Sequence, residues 1–131
     1  AQRMAENAQA MAEFLVDHPR ITRIRYPGLP TDPGHEIAAR QMVNGFGGLM
    51  AFDVGETQDD AKRFIEKLGV IYHAVSLGAT ETLVCIPVLT TMLYLPEDRR
   101  VAFGVRPNTV RLSAGIEDID RLIADLKQAL E

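Results

Sequence analysis

The side chain in this sequence best suited to chemistry is Arg111. It sits in Thr109-Val110-Arg111-Leu112-Ser113, where polar and apolar residues alternate. On a strand, Val110 and Leu112 face one side, and Thr109, Arg111 and Ser113 face the other. A guanidinium on such a face carries a planar fork of donors that can grip a carboxylate through two parallel hydrogen bonds. The same spacing also suits an exposed strand arginine or a structural ion pair. A second candidate is Ser76-Leu77-Gly78-Ala79-Thr80-Glu81-Thr82-Leu83, a glycine-broken turn with several hydroxyls. It reads either as a loop that brings backbone donors to a ligand or as an ordinary connection.

Other chemistry-bearing types are placed less favourably. Gly45-Phe46-Gly47-Gly48 lies between a helix pattern and a strand pattern. A phosphate cradle needs the reverse order, with the glycines leading from a strand into a helix, so these glycines read as a helix stop with close backbone packing. His18, His35 and His73 are not spaced four apart, and none forms a zinc signature with Cys85. No metal site is expected. His18 reads as closing the first helix and His35 as lying near a helix start. Ser76, Ser113 and Cys85 carry no signature of a nucleophile with its base. Cys85 stands among Leu83, Val84 and Ile86 and reads as a small buried group.

The elements that would position these residues follow from periodicity. Met4, Ala8, Met11 and Leu15 fall on one face of a helix over residues 1–17, with no capping residue ahead of it. Ile21–Tyr26 reads as a strand closed by Pro27-Gly28. Asp32-Pro33 reads as an N-cap with proline at the first helical position, for a helix through Ile37, Ala38 and Met42. Leu49–Val54 is a strand. Thr57 with Asp60 resembles a capping box, and the helix behind it presents Ala61, Phe64, Ile65 and Leu68 before Gly69 stops it. Val70–Leu95 reads as short extended segments and loops. Pro96–Arg100 opens a short helix that Gly104 ends. The last helix runs from about Glu117, with Ile119, Leu122, Ile123, Leu126 and Leu130 as its apolar stripe. The fold class is α+β: a small sheet with helices over one face.

Length and composition set the outer limits. The 131 residues suit one domain, and a hydrophobic share of 47% with 24% charged residues is ordinary for a globular chain. Fourteen Lys and Arg against 18 Asp and Glu give a net charge of −4, which argues against a nucleic-acid or anionic-membrane surface. The single cysteine excludes an internal disulfide and fits a reducing, cytoplasmic compartment. No apolar run approaches the ~20 residues of a membrane span. The chain opens on Ala1 rather than Met, as expected of a processed or excised piece.

Four motifs occur together and in order. They are Tyr26-Pro27-Gly28-Leu29, Gly45-Phe46-Gly47-Gly48 before a strand, Ser76-Leu77-Gly78 followed by Glu81 and Leu83, and Val110-Arg111-Leu112-Ser113-Ala114-Gly115-Ile116-Glu117-Asp118. In this order and spacing they resemble the C-terminal domain of the trans-sulfuration enzymes that use pyridoxal phosphate. Those enzymes include cystathionine γ-synthase, the cystathionine lyases, methionine γ-lyase and O-acetylhomoserine sulfhydrylase. The resemblance runs from about Arg3 to Leu130. It implies the small C-terminal domain of the aspartate-aminotransferase (fold type I) architecture over residues 1–131, a mostly antiparallel sheet with helices on one face. Residues 1–17 would be the end of the helix that links it to a large, pyridoxal-phosphate-binding domain absent from this chain.

The resemblance also implies roles. Arg111 would anchor the substrate α-carboxylate, Ser76 would lie close to the same carboxylate, and Thr91 would support the substrate from the loop after Pro87. The chain departs from the family pattern at Met92 and Ile86, where histidines are usual. Those departures leave open which sulfur amino acid is handled and whether elimination or replacement follows. The chain's lysines are Lys62, Lys67 and Lys127, and none stands in the context of a cofactor lysine. The chain alone is therefore expected to be inactive and to bind no pyridoxal phosphate. The complete enzyme is expected to be a homotetramer acting on an amino acid. Two rival readings stay open on the residues alone. One is a free-standing α+β small-molecule-binding or regulatory domain. The other is a purely structural interaction module with Met4, Met11 and Phe14 as its stripe.

Overall fold

The middle of the sheet is built by the alternation around Arg111. In a computed structural model that describes residues 1–131, Thr109–Ser113 forms a strand paired antiparallel on both sides. The elements in chain order are α1 (Gln2–Val16), β1 (Ile21–Arg25), α2 (His35–Gln41), β2 (Leu49–Val54), α3 (Gln58–Lys67), β3 (Tyr72–His73), β4 (Leu83–Cys85), a 3-10 turn (Pro87–Leu89), α4 (Glu97–Ala102), β5 (Thr109–Ser113) and α5 (Ile119–Ala129). The strands lie in the order β1-β2-β5-β4-β3, antiparallel except for the β3–β4 pair.

Register divides the sheet into two unlike faces. Opposed residues share a face, so Met50 with Leu112 and Phe52 with Val110 turn to one side. That side is covered by α1, α3 and α5, and Met11, Leu15, Phe64, Leu122 and Leu126 complete the core. The other side carries Ala51, Asp53, Thr109, Arg111, Ser113 and Cys85. The expected α+β layer with helices on one face is what the chain forms.

Local sequence explains the starts of α3 and α5. Thr57 accepts from the Asp60 amide, and the Asp60 carboxylate accepts from the Glu56 and Thr57 amides, closing a capping box at α3. Those two backbone bonds hold Asp60 well below the usual carboxylate range. Asp118 caps α5 by accepting from Asp120. α1 has no side-chain cap at its first turn.

Four local readings need correction. α2 begins at His35 behind Gly34, not at Asp32-Pro33. The Asp32 carboxylate is buried and instead accepts from Arg25 Nε and the Tyr26 and Gly34 amides, so it closes the turn before the helix. α5 begins two residues after Glu117, whose carboxylate is committed elsewhere in the fold. His18 lies beyond the end of α1, and its Nδ1 accepts from the Arg20 amide rather than donating to the helix's last carbonyls. Glycine also stops neither α2 nor α3, where Met42 and Leu68 follow in extended conformation; Gly104 does end α4, at a φ of +77° with its amide on the Val101 carbonyl.

Candidate functional site

Arg111 lies half-buried on the open face of the sheet, level with Ala51 on β2 and Cys85 on β4. Its Nη2 donates to the carbonyl of Val75 at 2.6 Å and to that of Ser76 at 3.3 Å. Three strand residues of this sheet are arginines, and the other two are paired with acids. Arg23 meets Asp53 at 3.1 Å and Arg25 meets Asp32 at 3.1 Å. Arg111 has no acid partner. Neutral carbonyls hold one nitrogen while the charge stays unbalanced, and Nε and Nη1 keep their donors for an incoming carboxylate. Of the two bland alternatives left open above, the structural ion pair is absent.

The carbonyls that hold Arg111 belong to a strap. β3 and β4 are parallel neighbours joined by residues 74–82 alone. Parallel strands ordinarily need a crossover of a dozen residues or more. This short one passes over the open face toward β5. The Gly78 amide donates to Ser113 Oγ at 2.9 Å, with Gly78 at a φ of +73°. The Thr80 carbonyl accepts from the Ile116 amide at 2.8 Å. Thr82 is fully buried; its amide and hydroxyl donate to the Glu117 carboxylate at 2.8 and 2.7 Å, and its hydroxyl accepts from the Gly115 amide at 2.9 Å. Asn7 of α1 seals this junction by donating to the carbonyls of Gly115 and Glu117.

Arg111 and Ser76 are thus brought together, through the Ser76 backbone; the Ser76 side chain is exposed. Thr91 is exposed in the turn after Pro87–Leu89 and makes no hydrogen bond to either residue. Cys85 is a buried free thiol, as read from its neighbours. Sequence reasoning missed Ser113, Thr82 and Glu117. All three stand inside the recognised motifs, yet their partners lie 33 to 35 residues away, beyond the reach of any local pattern.

The residues present do not make a pyridoxal-phosphate site by themselves. Such a site needs an amine for the imine and donors for a phosphate. Lys67 donates to the Glu131 carbonyl, and Lys62 and Lys127 are exposed on α3 and α5, helices packed against the face opposite Arg111. No cluster of side chains suited to a metal ion occurs.

The family described as Cys/Met metabolism PLP-dependent enzyme matches residues 1–131. Cystathionine gamma-lyase of Dictyostelium discoideum is 42% identical over 126 residues, covering 96% of this chain and 32% of the relative. The chloroplastic cystathionine gamma-synthase 1 of Arabidopsis thaliana is 39% identical over 130 residues, covering 99% of this chain and 23% of the relative. Among solved structures, cystathionine gamma-lyase from Lactobacillus plantarum complexed with L-serine superposes with a TM-score of 0.90 at 39% identity, over 98% of this chain and 33% of that one. The chain therefore spans about a third or less of the length of these relatives.

Proposed function

The chain belongs to the Cys/Met metabolism PLP-dependent enzyme family, and from that premise we propose that it is the substrate-carboxylate-binding domain of an enzyme acting on a sulfur amino acid. The enzyme is proposed to eliminate or replace at the β- or γ-carbon of cystathionine, methionine or an O-acyl-homoserine, as a homotetramer of complete chains. A lyase and a synthase stand at 42% and 39% identity, so similarity alone does not choose between those reactions. The cofactor supplies the electron withdrawal that such chemistry requires, and its anchoring lysine is assigned to a large domain outside these residues.

The observation that carries this reading is Arg111 itself. It is half-buried, fixed through one nitrogen by the Val75 and Ser76 carbonyls, and unpaired with any acid of the chain. Its remaining donors would grip the α-carboxylate and so fix the direction of the bonds at the α-carbon. Orientation of this kind is worth several kcal/mol of barrier. Ser76 and Thr91 are proposed to line the same substrate, Ser76 beside the carboxylate and Thr91 from the turn after Pro87.

Steady-state turnover of cystathionine, methionine and O-acetylhomoserine by the full-length enzyme tests the reading. Arg111→Lys keeps a charge but loses the fork. We expect kcat/KM to fall by about 100-fold or more, the equivalent of two charge-assisted hydrogen bonds. Near wild-type kinetics in that variant would refute the assignment.

A further inference from the structure

We infer that Glu117 is a positioning residue for Arg111, acting through Thr82 and the strap; the inference rests on the reading of Arg111 as the carboxylate clamp. The orientation of a guanidinium depends on what its nitrogens are bonded to. Here Nη2 is spent on the carbonyls of Val75 and Ser76, so the fork points where the strap sends it. The strap has little apolar packing to hold it. Val75, Ser76, Leu77, Gly78, Thr80 and Glu81 are all exposed, and a side chain added at Gly78 would meet open space.

What fastens the strap is a short set of hydrogen bonds to the last residue of β5 and the segment that follows it. Ser113 Oγ takes the Gly78 amide in the middle, and the Ile116 amide takes the Thr80 carbonyl. At the far end the Glu117 carboxylate takes both the amide and the hydroxyl of Thr82, while Gly115 donates to the same hydroxyl. Glu117 is the only ionised partner among these ties, and bonds to ionised acceptors are the stronger ones. Its own backbone is pinned from α1 by Asn7. Glu117 lies beside no substrate-facing group, so its influence on binding must pass through this chain of contacts.

The test uses the full-length enzyme and calorimetric binding of two probes, glycine and glycinamide, which differ only in the carboxylate. Wild type should prefer glycine by about 10- to 100-fold, as charge-assisted hydrogen bonds to one group would give. Glu117→Ala should lower that preference about tenfold, and Ser113→Ala, which leaves the Glu117 tie intact, should lower it too. In an Arg111→Lys background, Glu117→Ala should change the preference no further, as expected for two residues acting on one interaction. An unchanged preference in folded Glu117→Ala and Ser113→Ala overturns the positioning role. So does an additive loss in the Arg111→Lys background. If Arg111→Lys alone leaves the preference intact, the clamp reading itself falls, and this inference with it.

Discussion

Single residues in this fold are largely explained by where their polar atoms go. Asp125 of α5 is buried and accepts from the amides of Gly69, Val70 and Ile71. Burial pushes its carboxyl up, but the three backbone bonds outweigh it and hold the group below its ordinary value. A depressed carboxyl contributes stability that is present above its unfolded value and lost as the pH falls through its folded value. We expect Asp125→Asn to cost about 2–3 kcal/mol at pH 7 by urea unfolding, and the gap from wild type to narrow below about pH 4. Burial, with Glu13 nearby, pushes the Tyr26 phenol up to about 12, so it stays neutral and donates to the Gly47 carbonyl. Gly115 is required for a different reason: a Cβ there would collide with the backbone carbonyl of Thr80. Gly115→Ala should displace the strap, read as faster hydrogen exchange at the Gly78 amide than in wild type. The recognised motif Ser113-Ala114-Gly115-Ile116-Glu117 was legible as a signature; that several of its members hold a loop could not be read from it.

At the scale of elements, what the sequence discloses tracks how local the cause is. The β5 alternation, the β2 strand and the α3 capping box depend on neighbours a few residues apart, and each forms where the pattern predicts. β3 has two residues and exists through pairing with β4, so no period could disclose it. Asp32 and Glu117 look like helix-start acids because acids are common there; one closes a turn and the other reaches 35 residues back to Thr82. The capping box offers a check on local causes. Thr57→Ala should cost about 1 kcal/mol by thermal or urea unfolding, leaving the Arg111 face untouched, since α3 packs on the opposite side of the sheet.

For the whole molecule, a division of labour follows from the two faces. Three helices seal one face, and the other keeps a guanidinium and a strap half open. Apolar side chains also remain exposed beyond β4: Leu89, Leu93 and Val101, with half-buried Val105, line a cleft of about 260 Å³ between the turn after β4 and α4. Exposed apolar clefts of this kind favour association. Leu93→Ser with Val101→Ser should leave the unfolding midpoint nearly unchanged and reduce self-association of the chain in sedimentation velocity. The strap has a further consequence. Its ties use the backbone groups of Val75, Ser76, Gly78 and Thr80, and only at Thr82 a side chain. The outward side chains of Val75, Leu77 and Glu81 are therefore unencumbered by the architecture, and a saturation library there should retain folded protein at nearly every substitution. Folding thus sets no demand on that outer edge, so the demand that fixes Leu77 and Glu81 within the shared motif must come from what meets the strap from outside.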